Sequence, residues 1–131
     1  MNSKLFNSFR LSSIKQTWRT PKKVYDLLNK EFEFTLDPCL DEIIEGRFID
    51  WDNQSVFVNP PYDNIQSWIE KGLNSKNATI VYLLPVRTSV PYFHEYILPF
   101  ADEIRFVKGR LKFDDQKTNA PFDSYIAIFK T

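Results

Sequence analysis

The stretch SVFVNPPYDNIQSWIEKGL, residues 55–73, decides how this chain is read. Ser55 to Val58 are strand formers. The strand they begin cannot continue, because Pro60 and Pro61 each lack a backbone donor and each fix φ. Asn59 precedes a proline and is therefore held extended. After Tyr62, Asp63 is placed to cap a helix whose inner face carries Ile65, Trp68, Ile69 and Leu73. A stiff Asn-Pro-Pro-Tyr turn thus stands at the carboxyl end of a strand, where open α/β sheets form their ligand crevice.

The flanking sequence extends this unit in both directions. Thr20 and Pro21 read as N-cap and first-turn proline of a helix over 21–31. FEFTLDP alternates and reads as a strand presenting Asp37 at its end. Between Cys39 and Gln54 the periodicity weakens; 40–45 suits a helical turn or two, and RFIDW a short strand. ATIVYLLP is a continuous apolar run of the kind found in a central parallel strand covered on both faces. A short helix from Pro91 to Leu98 follows. DEIRFVKGRLKF and SYIAIF then read as antiparallel neighbours at one side of the sheet. Strands alternating with helices predict a three-layer α/β domain, with a mostly parallel sheet and an antiparallel C-terminal strand.

Composition sets limits. At 131 residues the chain suits one domain, divided here into a basic arm over 1–16 and a folded unit over 17–131. Its 43% hydrophobic content marks an ordered protein rather than a disordered one. No run is long and apolar enough for a membrane span or a signal peptide, so a cytoplasmic protein is expected. A single Cys39 permits no intrachain disulfide, and with His94 as the sole histidine no zinc or iron cluster is expected. Net charge is zero but uneven: residues 1–23 carry six bases and no acid, and residues 24–63 carry ten acids against Lys30 and Arg47. Arg105, Lys108, Arg110, Lys112 and Lys117 form a second basic group. This distribution suits a polyanion held over a site for something cationic; scattered solvated charge is the competing reading.

The turn itself suggests chemistry. The Asn59 side-chain oxygen and the Pro60 carbonyl are adjacent acceptors, and neither proline offers an amide hydrogen to occupy them. A planar –NH2 group fits between two such acceptors. Drawing its hydrogens out of the ring plane favours a pyramidal nitrogen whose lone pair is free to attack. Tyr62 offers a flat face on which a purine can stack.

NPPY resembles the catalytic motif of amino-methyltransferases that use S-adenosylmethionine. TWRTPKKVYDLL, FTLDPC, VFVNPPYDNIQSWIEKG, YLLPVRTSVPYFHE, GRLKF and APFDSYIAIF are together similar, in order and nearly in spacing, to the phage-type DNA N-6-adenine methyltransferases, the phage Dam family, over residues 17–130. The resemblance implies a Rossmann-like S-adenosylmethionine-dependent domain, shortened between its first strand and its catalytic motif. It implies Asn59, Pro60, Pro61 and Tyr62 around an adenine flipped from double-stranded DNA. Trp18, Thr20, Pro21, Asp37, Pro38, Cys39 and Asn59 would hold the cofactor. Its carboxylate would meet the free amides at the first helix's N-terminus, and its ammonium group Asp37. Arg87, Thr88, Lys108, Arg110 and Lys112 would face DNA. No metal is implied, the protein is expected as a monomer or homodimer, and a phage or prophage origin implies evasion of host restriction.

Two features depart from this pattern. No glycine-rich turn follows Asp37-Pro38-Cys39, and only 19 residues separate Cys39 from Asn59. The acid for the cofactor ribose is sought among Glu42, Glu45 and Asp50, with Asp50 preferred because RFIDW reads as the strand before the motif. Two other functions fit the same residues: methylation of a protein glutamine amide, or a catalytically inactive module that binds DNA or a host protein. Trp18 reads equally as lid or core anchor, Cys39 as a small buried residue, His94 as a surface residue, and Arg110 as a partner for Asp102 or Glu103.

Overall fold

Alternating apolar residues in three strands build two cores, one on each face of a single sheet. The computed structural model describes residues 18–40 and 44–131. The basic arm over 1–16, and Glu42 within the 40–45 segment, lie outside the described residues. Strands β1 (Ser55–Val58), β2 (Thr79–Pro85), β3 (Glu103–Phe106) and β4 (Ser124–Lys130) are ordered β1-β2-β4-β3. β1 pairs in parallel with β2, from Ser55 opposite Thr79 to Val58 opposite Tyr82. β4 is antiparallel to both β2 and β3, as expected of the C-terminal strand. It nevertheless lies inside the sheet, so β2 has one parallel and one antiparallel neighbour, and the sheet is mixed.

Val56, Val58, Ile80, Tyr82, Leu84, Tyr125, Ala127 and Phe129 point to one face, under α2 (Ile65–Leu73) and the helical segment 91–100. Phe57, Val81, Leu83, Ile126 and Ile128 point to the other, where Leu28 of α1 (Lys22–Phe32), Phe113 and Ala120 cover them. The segment 91–100 includes a π turn, Phe93–Ile97, before α3 (Leu98–Phe100). Pro99 has no N–H for the ordinary bond to residue 95, and Leu98 bonds back to Phe93 instead.

Several expected elements are shorter or different. FEFTLDP contributes only a parallel bridge from Leu36 to Val56, because Glu33 closes α1 in the left-handed region and Leu40 already turns back to the Asp37 carbonyl. RFIDW is not a strand: Gly46–Phe48 form a 3-10 turn, with Glu45 accepting from the Arg47 amide. DEIRFVKGRLKF is strand only as far as Phe106; Gly109, at φ 76°, redirects the chain, and 107–123 crosses the α1 face of the sheet as an irregular segment. Asn64 rather than Asp63 caps α2, accepting from the Ser67 amide after a 3-10 turn over Tyr62–Asn64. At α1 the cap residue is Pro21, not Thr20, and the Lys22 amide donates to Asp114 Oδ2 at 3.2 Å.

Gly46 ties the irregular 40–54 segment to the sheet. A Cβ there would lie 2.1 Å from the Pro38 carbonyl oxygen, a backbone atom that cannot swing aside. Its own carbonyl accepts from the buried Trp51 Nε1 at 2.9 Å. Gly46→Ala is expected to destabilise the protein by about 1–3 kcal/mol, read as a lower urea midpoint. An unchanged midpoint would contradict this packing.

Candidate active site

β1 and β2 run in the same direction, so their carboxyl ends deliver Asn59–Tyr62 and Arg87–Thr88 to one edge of the domain. The Leu36 bridge sends Asp37, Pro38 and Cys39 there as well. β4 starts there too, since Ser124 stands opposite Pro85 and the Val86 amide donates to the Asp123 carbonyl at 2.8 Å.

Asn59 is held by the segment leading into α1. Its Nδ2 donates to the Trp18 carbonyl and, at 2.9 Å, to Thr20 Oγ1. Both amide hydrogens are thereby engaged, and the Trp18 carbonyl, which can only accept, fixes which end of the side chain is nitrogen. Asn59 Oδ1 is buried with no partner among the described residues. An unsatisfied buried carbonyl oxygen awaits a donor.

Tyr62 is 6% exposed, so the open face expected for stacking is covered. Trp18 stacks on it at 6.4 Å and 25°, Phe122 meets it edge-on at 5.6 Å, and the Arg87 guanidinium lies 5.3 Å from its ring centre. Trp18 also packs on Phe113 and Phe122 and is half-buried, so it is both anchor and cover. Burial pushes the Tyr62 hydroxyl above its usual range.

Asp37 is pushed up to about 6 by burial, against the opposing pull of the Cys39 amide. Among the described residues no cation offsets this burial, and an ammonium or sulfonium group is the chemical complement. Burial likewise raises the Cys39 thiol, with Asp37 adding to the effect, so it is no reactive thiolate. Pro21 and Pro38 are buried beside these groups.

The acids between 40 and 54 separate. Asp50 is not brought to this edge: its Oδ1 accepts from the Asp52 amide, and Asp52 accepts from the Lys76 amide, at the amino ends of β1 and β2. Glu45 is close enough to raise the Cys39 thiol, and paired hydrogen bonds from Arg47 hold its carboxyl down at about 2. The chain between 39 and 54 doubles back through Gly46, which a strand assignment could not show.

The expected DNA-facing residues Arg87, Thr88, Lys108, Arg110 and Lys112 are all exposed. Arg110 pairs with Asp123 at 3.4 Å rather than with Asp102 or Glu103. Thr88 O accepts from His94 Nε2, an exposed residue as expected. Asp114 and Asp115 went unread in the sequence. They accept from the Lys22 and Arg19 amides, and Asp114 N donates to the Arg19 carbonyl, strapping Trp18–Lys22 to the irregular segment. The adjacent pair of acids in KFDDQ was their only signal. Their contact occupies one of the amides expected to be free for a cofactor carboxylate.

A family model described as DNA N-6-adenine-methyltransferase (Dam) matches residues 7–128. The chain belongs to the Dam family. No curated protein and no solved structure matches it. The Dam match spans every site residue described above. Among the described residues no group of His, Cys, Asp or Glu is arranged to hold a metal ion.

Because the raised Asp37 value disfavours its charged form in the folded state, this residue contributes stability below about pH 4 that is lost as pH rises through about 6. Asp37→Asn is therefore expected to stabilise the protein at pH 8 by on the order of 1–3 kcal/mol, with the gain vanishing below pH 4. Melting temperatures across that range check it; a constant difference between the two proteins would contradict it.

Proposed function

We propose that this Dam-family chain transfers a methyl group from S-adenosylmethionine to the exocyclic N6 of adenine in DNA, on a Rossmann-like domain. The observation that carries this reading is the buried Asn59 oxygen, fixed as an acceptor and left without a donor at the start of Asn-Pro-Pro-Tyr. An aromatic amine supplies the two hydrogens that Asn59 Oδ1 and the Pro60 carbonyl can accept. Engaging them out of the ring plane localises the nitrogen lone pair, and the positive charge that develops on nitrogen is stabilised by the same two acceptors.

The cofactor supplies an electrophilic methyl on a sulfonium cation. Asp37 fits its cationic portion, and Glu45, rather than Asp50, fits the ribose hydroxyls. Trp18 covers Tyr62 from the side of the irregular segment. Tyr62 must be uncovered for a base to enter, and Arg87, exposed and held to the ring by a cation–π contact, is the group that can move aside. Lys108, Arg110 and Lys112 surround the same edge and supply charge for the phosphate backbone of double-stranded DNA.

The test is transfer of labelled methyl from S-adenosylmethionine to unmethylated DNA, with the product base identified by mass. N6-methyladenine is expected, with Asn59→Ala reducing the rate by about 10²-fold or more, the scale of losing one preorganised electrostatic contact. Label in another base, no label at all, or an undiminished Asn59→Ala rate would refute the reading.

A further inference from the structure

Six buried side-chain polar atoms among the described residues have no hydrogen-bond partner: Trp18 Nε1, Asn59 Oδ1, and the hydroxyls of Tyr62, Tyr92, Ser124 and Tyr125. Elsewhere the fold satisfies such groups. Tyr82 donates to the Trp68 carbonyl at 2.7 Å, Ser75 to the Lys71 carbonyl at 2.8 Å, and Trp51 Nε1 to the Gly46 carbonyl. Leaving a buried hydroxyl unpaired costs stability, so a cluster of them in one place calls for a cause.

The three tyrosines share one face of the sheet, whereas Ser124, next to Tyr125 in β4, points to the other. Tyr62, Tyr92 and Tyr125 belong to one packed core. Tyr125 stands opposite Leu84 and Ser124 opposite Pro85, at the end of β2 that leads to Arg87. Phe93, next to Tyr92, meets Tyr125 edge-on at 6.0 Å. Burial raises the pKa of all three tyrosines; Tyr92 adds to the rise at Tyr62 and Tyr125, and Arg87 opposes it at Tyr62 and Tyr92. Each of the four residues is at most 7% exposed.

We propose that Tyr92 and Tyr125 form the wall that reads the ring-nitrogen edge of the target adenine, their hydroxyls donating to a purine nitrogen beside the amine that Asn59 holds. This rests on the methyl-transfer reading above. Adenine flanks its amine with acceptors at N1 and N7, and hydroxyl rotors can turn to either. A site built to hydrogen-bond a ring nitrogen rejects a base that lacks it, because the hydroxyls are then left unpaired again. The base is thus chosen by residues outside the Asn-Pro-Pro-Tyr turn, which by itself accepts any planar amine.

The test compares the native protein with Tyr92→Phe and Tyr125→Phe. The substrates are unmethylated DNA and DNA in which 7-deazaadenine or 1-deazaadenine replaces adenine. For Tyr92→Phe or Tyr125→Phe the melting temperature is expected to be equal to or above native, while kcat/KM on normal DNA falls about tenfold or more. One deaza substrate is expected to slow the native protein and to slow the responsive variant no further. If the native protein methylates adenine and both variants match its kcat/KM, the proposal is overturned and the hydroxyls are structural. Equal tolerance of both deaza substrates by the native protein overturns it as well. If the native protein transfers no methyl to adenine, the functional reading itself has failed and the proposal falls with it.

Discussion

The side-chain amide of Asn59, clamped by the Trp18 carbonyl and Thr20 Oγ1, is the contact on which the rest of the site depends. An asparagine amide is nearly symmetrical in shape, and only its hydrogen-bond partners decide which end is oxygen. Here the Trp18 carbonyl, which can only accept, takes the nitrogen end, Thr20 Oγ1 accepts its other hydrogen, and the oxygen is left on the far side. That arrangement requires residues 18–20 to lie against the end of β1. They are kept there by Asp114 and Asp115, whose carboxylates accept from the Lys22 and Arg19 amides, and by Trp18 packed on Phe113 and Phe122. The irregular segment 107–123 therefore has a positional role, although it carries no regular secondary structure.

Stability and readiness oppose each other at this edge. The two cores use alternating strand residues to bury apolar surface on both faces of the sheet, and buried polar groups far from the edge are paired. Near Asn59 the balance reverses: a carboxyl is held above its usual range, and several hydroxyls have no partner among the described residues. Each of these costs stability in the free protein, and each is relieved by a group of the right polarity. The free protein thus holds strain of a polar kind, and the surrounding core offsets it.

What the sequence showed depended on range. The strand, the double proline and the amphipathic α2 were legible because their causes are local: missing donors, fixed φ and helical spacing. The mouth could be placed because a parallel β1-α2-β2 unit puts both strand ends on one side. RFIDW favours Asp50 over Glu45 only as a strand, and Gly46 instead folds back onto Pro38, a contact set by one missing Cβ. Asp114 and Asp115 act on residues more than ninety positions away, and no periodicity signals that. Nothing in the sequence singles out Tyr92 or Tyr125, since an unpaired hydroxyl has no sequence signature.

The orientation of Asn59 is most directly tested by nuclear magnetic resonance of its side-chain amide in the free protein. Both amide protons should be distinct and strongly protected from solvent exchange, each bonded to a fixed acceptor. Exchange as fast as that of an exposed asparagine such as Asn74 or Asn119 would mean the amide is not clamped. The oxygen would then have no fixed direction, and the account of how this edge receives an amine would fail.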